Sequence, residues 1–140
     1  MIWTNCGQNY SRDRYKYGKG VDFINKRKTG GEKEKLAGDF LKGQGYEILG
    51  QNFYTRFGEI DLILKDKDTL VFAEVKYRKD GKRGHPLEAV DVRKQQKISR
   101  AALYYIARNR ISPEQPVRFD VVAVMGEEIF HVKNAFEFQG

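Results

Sequence analysis

Asp61, Glu74 and Lys76 are the side chains of this sequence best suited to chemistry on a phosphate group. They lie in two segments rich in Ile, Val, Leu and Phe, residues 57–64 and 70–78, and the polar stretch between these segments predicts a β-hairpin. Two carboxylates on adjacent strands would offer oxygen ligands to a hard cation such as Mg²⁺. The lysine could hold or polarise a water, or neutralise charge that develops on a phosphate.

This arrangement depends on how the two strands pair. Side chains alternate between the faces of a strand, so a turn centred between residues 67 and 68 places Asp61 opposite Glu74 on one face. In the same register Glu59 lies opposite Lys76. A slip of one residue would separate these groups. The alternative interpretation is a cross-strand charge pair on a solvated sheet face.

A helix is predicted before the hairpin. Its apolar stripe consists of Leu36, Ala37, Phe40 and Leu41, and glycines at positions 43 and 45 end it. Glu34 precedes this stripe. It is either a charge early in the helix, which the helix dipole favours, or a third carboxylate directed at the hairpin.

A second helix is predicted after the hairpin, from the N-cap Asp91 to about Asn109. Lys94 and Gln95 occupy its first turns, either as ordinary surface residues or as contacts to a phosphate or water beside the hairpin. Residues 117–125 are nearly all apolar and predict an interior strand, in which Asp120 is interpreted as structural.

The order of elements predicts an α/β fold. The helical connection between the Glu74 strand and residues 117–125 implies a parallel crossover, and therefore a mixed central sheet with a helix on each face. Residues 128–133 predict an extra C-terminal edge strand.

Length and composition indicate one domain with a polyanionic partner. The net charge is +7, the sequence pI is about 9.5, and seven basic residues against two acids lie in residues 1–30. We interpret residues 1–30 as a basic, flexible N-terminal arm and residues 31–140 as the folded domain. A single cysteine, the lack of a signal-like apolar segment and the lack of a membrane span predict a cytoplasmic protein.

The longer pattern resembles known families. Asp61, followed by Glu74-Val75-Lys76 within α-β-β-β-α-β, resembles the PD-(D/E)xK nuclease superfamily, although Ile60 replaces the proline that often precedes the first acid. A longer series is similar to the YraN-type family of small, largely uncharacterised bacterial proteins that are described as endonucleases. The series consists of Glu34-x-x-Ala37, Gly45-Tyr46, Asn52, Gly58-Glu59-Ile60-Asp61-Leu62-Ile63, Phe72-Ala73-Glu74-Val75-Lys76-x-Arg78, Ala89-Val90, Lys94-Gln95 and Arg118-Phe119-Asp120-Val121-Val122. Lys33 stands where that family often has glycine.

The resemblance implies a restriction endonuclease-like fold similar to that of archaeal Holliday junction resolvases. It implies that Glu34, Asp61 and Glu74 bind Mg²⁺ or Mn²⁺, with the carbonyl of Val75 as a further ligand and Lys76 as the catalytic lysine. The expected function is that of a metal-dependent DNA endonuclease, selective for DNA structure and linked to DNA repair, recombination or processing.

The expected nucleic-acid contacts are Arg78, Lys79, Lys82, Arg83, Lys94 and Gln95, together with the arm. Nothing in the sequence distinguishes DNA from RNA. A branched substrate with two-fold symmetry would suit a homodimer. The alternative function is a nucleic-acid-binding module of nuclease fold that does not cleave and acts through a partner such as a helicase or recombination factor.

Overall fold

The computed structural model describes residues 2–3, 12–16, 30–78, 90–125 and 128–140, with side chains from residue 34 onwards. The elements are β1 (Ile2–Trp3), β2 (Arg12–Lys16), α1 (Gly30–Gly43), β3 (Glu47–Thr55), β4 (Gly58–Asp66), β5 (Thr69–Arg78), α2 (Val92–Arg108), β6 (Pro116–Met125) and β7 (Glu128–Phe136). Neither helix in the described ranges is long and apolar enough to cross a membrane.

The strands form one mixed sheet in the order β2-β7-β6-β5-β4-β3. Strands β3, β4 and β5 are antiparallel neighbours, β5 and β6 are parallel, and β7 returns antiparallel to β6. The parallel β5–α2–β6 connection is the one that the sequence predicts. The core therefore has the predicted α-β-β-β-α-β-β order of a restriction endonuclease-like fold.

Two short N-terminal strands extend this core. β2 pairs with the outer side of β7, and β1 pairs in parallel with the start of β6. β7 is consequently an edge strand of the five-stranded core but not of the whole sheet. Most of the predicted flexible arm lies outside the described residues, so its flexibility stays a prediction.

Each face of the sheet is covered by one helix. On one face, Ala37 and Leu41 of α1 pack on a cluster that includes Leu62 and Ala73. On the other face, α2 packs on a cluster that includes Phe72, through Ile98, Ala101, Ala102 and Ile106. The N-cap Asp91 accepts a 2.8 Å hydrogen bond from the amide of Lys94, as expected of a helix N-cap. Both amphipathic helices thus lie where their apolar stripes predict.

The β4–β5 hairpin has the predicted register, but its ladder is short. Paired residues run from Asp66 and Thr69 to Leu62 and Ala73. Beyond this last pair, β4 stays paired only with β3, and β5 stays paired only with β6, as far as Arg78. The two strands therefore separate immediately before Asp61 and Glu74. We call this place the fork.

Strand β3, which runs from Glu47 to Thr55, contains a reversal of its side-chain alternation. Asn52 has a φ of +51°, in the left-handed region that asparagine tolerates better than most residues. Its neighbour Phe53, with the paired Ile60, packs in the α2 cluster, whereas Leu62, paired with Gln51, packs in the α1 cluster. The change of face occurs at Asn52.

A separate polar network is buried inside the sheet around Asp120, whose side chain is fully buried. Its carboxylate accepts hydrogen bonds from Arg118 Nε at 2.8 Å, from Arg118 Nη2 at 3.0 Å and from the amide of Asn134 at 2.9 Å, and it contacts His131 Nε2 at 2.8 Å. Arg118 Nη1 also donates to Asp66 at 3.0 Å. Every oxygen of Asp120 is satisfied by protein, as expected of a structural acid.

Candidate metal centre

Asp61 lies at the fork and is held there by the backbone of the neighbouring strand. Its side chain is 4% exposed, and its Oδ2 accepts a hydrogen bond of 2.8 Å from the amide of Val75. The end of the β4–β5 ladder at Leu62 and Ala73 leaves this amide available to a side chain. At the fork, the Val75 amide therefore hydrogen-bonds to the Asp61 carboxylate and fixes its position.

Two further carboxylates meet Asp61. One oxygen each of Glu34, Glu59 and Asp61 lie within 4.8 Å of one another. Glu34 comes from α1 and is hydrogen-bonded to the side chain of Asn52. Of the two interpretations of Glu34, the structure matches the carboxylate directed at the hairpin.

Glu74 lies on the other strand of the fork, between two lysines. Its Oε1 is 3.1 Å from Lys76 Nζ on its own strand and 3.4 Å from Lys94 Nζ on α2. Its side chain is 4% exposed. Within the described residues, Glu74 Oε2 and Glu34 Oε2 are buried oxygens without a hydrogen-bond partner. Both helices and both strands of the fork thus contribute charged groups to one site.

The electrostatics of the site disfavour three or four ionised carboxylates. Burial, followed by the charge of Glu74, raises the pKa of Asp61 to about 8, although the hydrogen bond from the Val75 amide opposes this shift. Burial is also the main reason why the pKa of Glu34 is raised. The charges of Glu59 and Glu74 add to that rise, and the hydrogen bond from Asn52 opposes it. Without a cation, the raised pKa of Asp61 favours its protonated form at neutral pH.

The donor set fits a hard divalent cation. The side-chain ligand candidates are all carboxylate oxygens, which Mg²⁺ and Mn²⁺ prefer. Buried oxygens without a hydrogen-bond donor, as on Glu34 and Glu74, cost about 1–3 kcal/mol or more each, because they have lost their contacts with water. A cation between these acids would satisfy such oxygens and displace the proton that Asp61 otherwise holds.

Comparison with known proteins identifies the family. A model of the uncharacterised protein family UPF0102 matches residues 33–124. The chain belongs to this family. A UPF0102 protein of Lachnoclostridium phytofermentans is 44% identical over 117 residues, which cover 84% of this chain and 99% of that protein. A UPF0102 protein of Thermodesulfovibrio yellowstonii is 50% identical over 107 residues, 76% of this chain and 94% of that protein. A third, of Vibrio cholerae, is 40% identical over 116 residues, 81% of this chain and 95% of that protein.

The UPF0102 assignment agrees with the YraN-type resemblance of the motifs, all of which lie in the matched region. The matched residues include all four carboxylates at the fork together with Lys76 and Lys94. They exclude the N-terminal arm.

The other predicted site residues do not join the acid cluster, or they lie outside the described residues. Gln95 Nε2 donates to the carbonyl of Val90 at 3.0 Å, and Arg78 Nη1 donates to the carbonyl of Tyr77 at 3.0 Å, so both side chains have backbone partners. Val75 contacts the site through its amide, and its carbonyl as a ligand stays a prediction. Lys79, Lys82 and Arg83 lie outside the described residues.

Two residues of this UPF0102 site were missed as site residues by the sequence analysis. Glu59 was assigned to a pair with Lys76, but Lys76 contacts Glu74 and Glu59 joins Glu34 and Asp61. Asn52 was noted only as part of a motif. The spacing of Glu59 two residues before Asp61 was a usable signal, since it places both acids near one end of the same strand.

Proposed function

We propose that this UPF0102 protein is a metal-dependent DNA endonuclease that acts on branched, flapped or single-strand-containing DNA during DNA repair, recombination or processing. The observation that supports this best is the composition of the fork. Buried acids with unsatisfied oxygens lie beside two lysines that share one carboxylate oxygen. This combination provides separate places for a divalent cation and for a negatively charged phosphate.

The acids of the fork would hold the cation. Glu34, Glu59 and Asp61 provide oxygens close together, and Glu74 has a further buried oxygen without a partner. Bound Mg²⁺ or Mn²⁺ would lower the pKa of a water, and so supply a nucleophile at neutral pH. The Val75 amide keeps Asp61 oriented, and Asn52 does the same for Glu34.

Lys76 and Lys94 would act on the phosphate. In hydrolysis, the water oxygen forms a bond to phosphorus, the ester P–O bond breaks, and the departing oxygen takes up a proton. The phosphate gains negative charge as this happens. Glu74 holds both ammonium groups at one oxygen, one from β5 and one from α2, so that they can stabilise this charge.

The test is cleavage of a panel of linear duplex, single-stranded, flapped and four-way-junction DNAs in Mn²⁺. The Asp61→Asn variant keeps an oxygen that can accept from the Val75 amide but removes the carboxylate. We expect it to lose at least about 100-fold in cleavage rate, as is usual for loss of a metal ligand or a main electrostatic group. Asp39→Asn, which removes an exposed acid of α1, should cleave as wild type does. Equal cleavage by the Asp61→Asn variant would show that the fork is not the active site.

The alternative is a nucleic-acid-binding module that does not cleave and acts through a helicase or recombination partner. The observation that favours it is that two lysines contact Glu74 and so offset part of the acidic charge without a metal. The raised pKa of Asp61 also favours its neutral form. Thermal melting with and without Mn²⁺ separates the two functions. A metal-binding site saturated a hundredfold above its Kd would stabilise the protein by about 2.7 kcal/mol. A module that binds no metal should melt at one temperature in both conditions.

A further inference from the structure

Helix α2 has an unusual charge composition. Its 17 residues contain no aspartate or glutamate. They contain five basic residues, which are Arg93, Lys94, Lys97, Arg100 and Arg108. A surface helix usually mixes both signs of charge, which supports it through pairs three or four residues apart. An all-positive helix repels itself and therefore indicates an anionic partner.

Four of the five cations lie on one line along the helix. Spacings of three and four residues place side chains one above another. Residues at these spacings form what we call the α2 stripe, which consists of Arg93, Lys97, Arg100, Tyr104 and Arg108. All five are exposed. They lie opposite the buried side of α2, formed by Ile98, Ala101, Ala102 and Ile106, and the stripe is about 22 Å long at a rise of 1.5 Å per residue.

Among the described residues, the cations of the stripe form no ion pair. In the described ranges, the ion pairs of the protein involve other cations, namely Lys76, Lys94, Arg118 and His131. Tyr104 is 44% exposed, and its ring lies 6.2 Å from that of Phe53, which supports it from one side. The stripe is thus an exposed row of positive charge that contains one supported aromatic ring.

The stripe begins beside the acids of the fork. Arg93 is adjacent in sequence to Lys94, whose ammonium reaches Glu74. A Cβ added at Gly58 would lie 3.2 Å from the Cβ of Lys97 and 3.6 Å from its carbonyl oxygen, so the start of β4 packs directly on this turn of α2. Glu59 follows Gly58. A nucleic-acid strand with a phosphate at the fork would therefore contact the first cations of the stripe.

We propose that the α2 stripe binds the sugar-phosphate backbone of a DNA arm that leads into the fork. The identification of the ligand as DNA rests on the proposed function, whereas the binding surface rests on the stripe itself. Its cations neutralise successive phosphates without reading sequence. Tyr104 supplies a flat surface on which an unpaired base or a sugar can rest.

A membrane surface is a poorer match for α2. A helix that lies in a membrane interface inserts its apolar face, and the apolar face of α2 is packed against the sheet through residues that are at most 4% exposed. The exposed side offers charge with only one aromatic ring. Backbone binding to a nucleic acid uses that kind of surface.

The test is the salt dependence of DNA binding, measured by fluorescence anisotropy in EDTA so that no cleavage occurs. The Lys97→Ala/Arg100→Ala variant removes two charges of the stripe and leaves the Lys97 Cβ that packs near Gly58. The Lys42→Ala/Lys65→Ala variant also removes two exposed charges, at the end of α1 and on β4. Each phosphate contact contributes about 0.9 to the slope of log K against log salt on duplex DNA. We expect the stripe variant to lose about 1.8 from this slope, and the control variant to keep the wild-type slope.

The result does not depend on whether the protein cleaves DNA. An unchanged slope in the stripe variant, with circular dichroism showing a folded protein, would overturn the proposal even if the fork is an active nuclease site. An equal loss in both variants would also overturn it, because net charge alone would then explain the binding. A loss confined to the stripe variant would support it, even in a protein that cleaves none of the DNAs.

Discussion

Asp61 is positioned as a metal ligand would be, but its ionised form is disfavoured when no metal is bound. Its fixed position, with Oδ2 on the Val75 amide, suits a ligand. Its burial beside Glu74 makes ionisation costly and raises its pKa to about 8. Its ordinary pKa in an unfolded chain is about 3.9. Between these values the folded protein binds a proton that the unfolded chain has released.

This difference in proton binding predicts an unusual pH dependence. Because the folded state binds this extra proton, the contribution of Asp61 to the free energy of unfolding of the metal-free protein should fall as pH rises from about 4 to about 8. An Asp61→Asn substitution removes the group that ionises. We therefore expect this variant to melt at a higher temperature than wild type at pH 8, and the gain to disappear towards pH 4. Differential scanning calorimetry in EDTA at pH 4, 6 and 8 measures this directly.

A matched substitution separates this effect from general charge. Asp39→Asn removes one negative charge from the exposed side of α1, and its melting temperature should follow that of wild type across the same pH range. If Asp61→Asn gives no more stability at pH 8 than at pH 4, the buried acid cluster does not destabilise the folded protein as inferred.

At the scale of elements, the fork is produced by two departures from regular β-structure. The ladder between β4 and β5 stops at Leu62 and Ala73, and β3 changes face at Asn52. The first exposes the Val75 amide, and the second brings the Asn52 side chain to Glu34. Neither departure involves a helix. The helices then add one side chain each, Glu34 and Lys94.

The contribution of Asn52 can be separated into backbone and side-chain parts. Both Asn52→Gly and Asn52→Ala lose the hydrogen bond to Glu34, and both must adopt a φ of +51°. Only alanine is strained by this φ, at a cost of about 1–2 kcal/mol, because it has a Cβ. We expect the alanine variant to be less stable than the glycine variant by about 1 kcal/mol in urea unfolding. At an ordinary strand position the glycine variant is the less stable of the two, so this prediction reverses the usual order of stability.

The neighbouring position provides the comparison. Gln51 is an exposed strand residue without a positive φ, so Gln51→Ala should be more stable than Gln51→Gly. If alanine is more stable than glycine at both positions, the left-handed φ of residue 52 is not required for the path of β3.

The sequence could predict those elements whose signals are local. The N-cap Asp91 and the apolar period located α2 to within a residue of its observed bounds, and the turn at residues 67–68 fixed the β4–β5 register. Where that ladder ends is decided by the packing of β4 on β3 and of β5 on β6, which no local pattern records. The pairing of Glu59 with Lys76 was extrapolated along a ladder that stops first. The site composition was therefore largely predictable, whereas its internal contacts were not.

At the scale of the whole molecule, the described residues contain two buried acidic centres that differ in kind. The acids at the fork have oxygens without partners, and the pKa values of Asp61 and Glu34 are raised. At Asp120, burial alone would raise the pKa, but hydrogen bonds from His131 and Arg118 outweigh it and hold the pKa below its usual value. The satisfied centre connects β4, β6 and β7 through Asp66, Arg118 and His131. We infer that it anchors the part of the sheet away from the fork.

Asp120 should accordingly affect stability with a pH dependence opposite to that of Asp61. Its lowered pKa gives stability that is present above the unfolded pKa of about 3.9 and is lost as pH falls through the lower folded value. Asp120→Asn leaves the buried guanidinium of Arg118 without its main counter-charge. We expect a loss of about 3–5 kcal/mol at pH 6 in urea unfolding. The difference from wild type should shrink at more acidic pH, because wild-type Asp120 then becomes neutral as well.

Metal binding at the fork tests whether the Asp120 network is independent of the acid cluster. Asp120→Asn should reduce stability to a similar extent with and without Mn²⁺, because no oxygen of Asp120 lies among the acids that would hold the cation. In wild type and in the variant, Mn²⁺ should then raise the melting temperature by comparable amounts. A variant that unfolds as easily as predicted but gains nothing from Mn²⁺ would show that the two centres are coupled through β4 and β6. A loss below 1 kcal/mol at pH 6 would show that the network does not anchor the sheet.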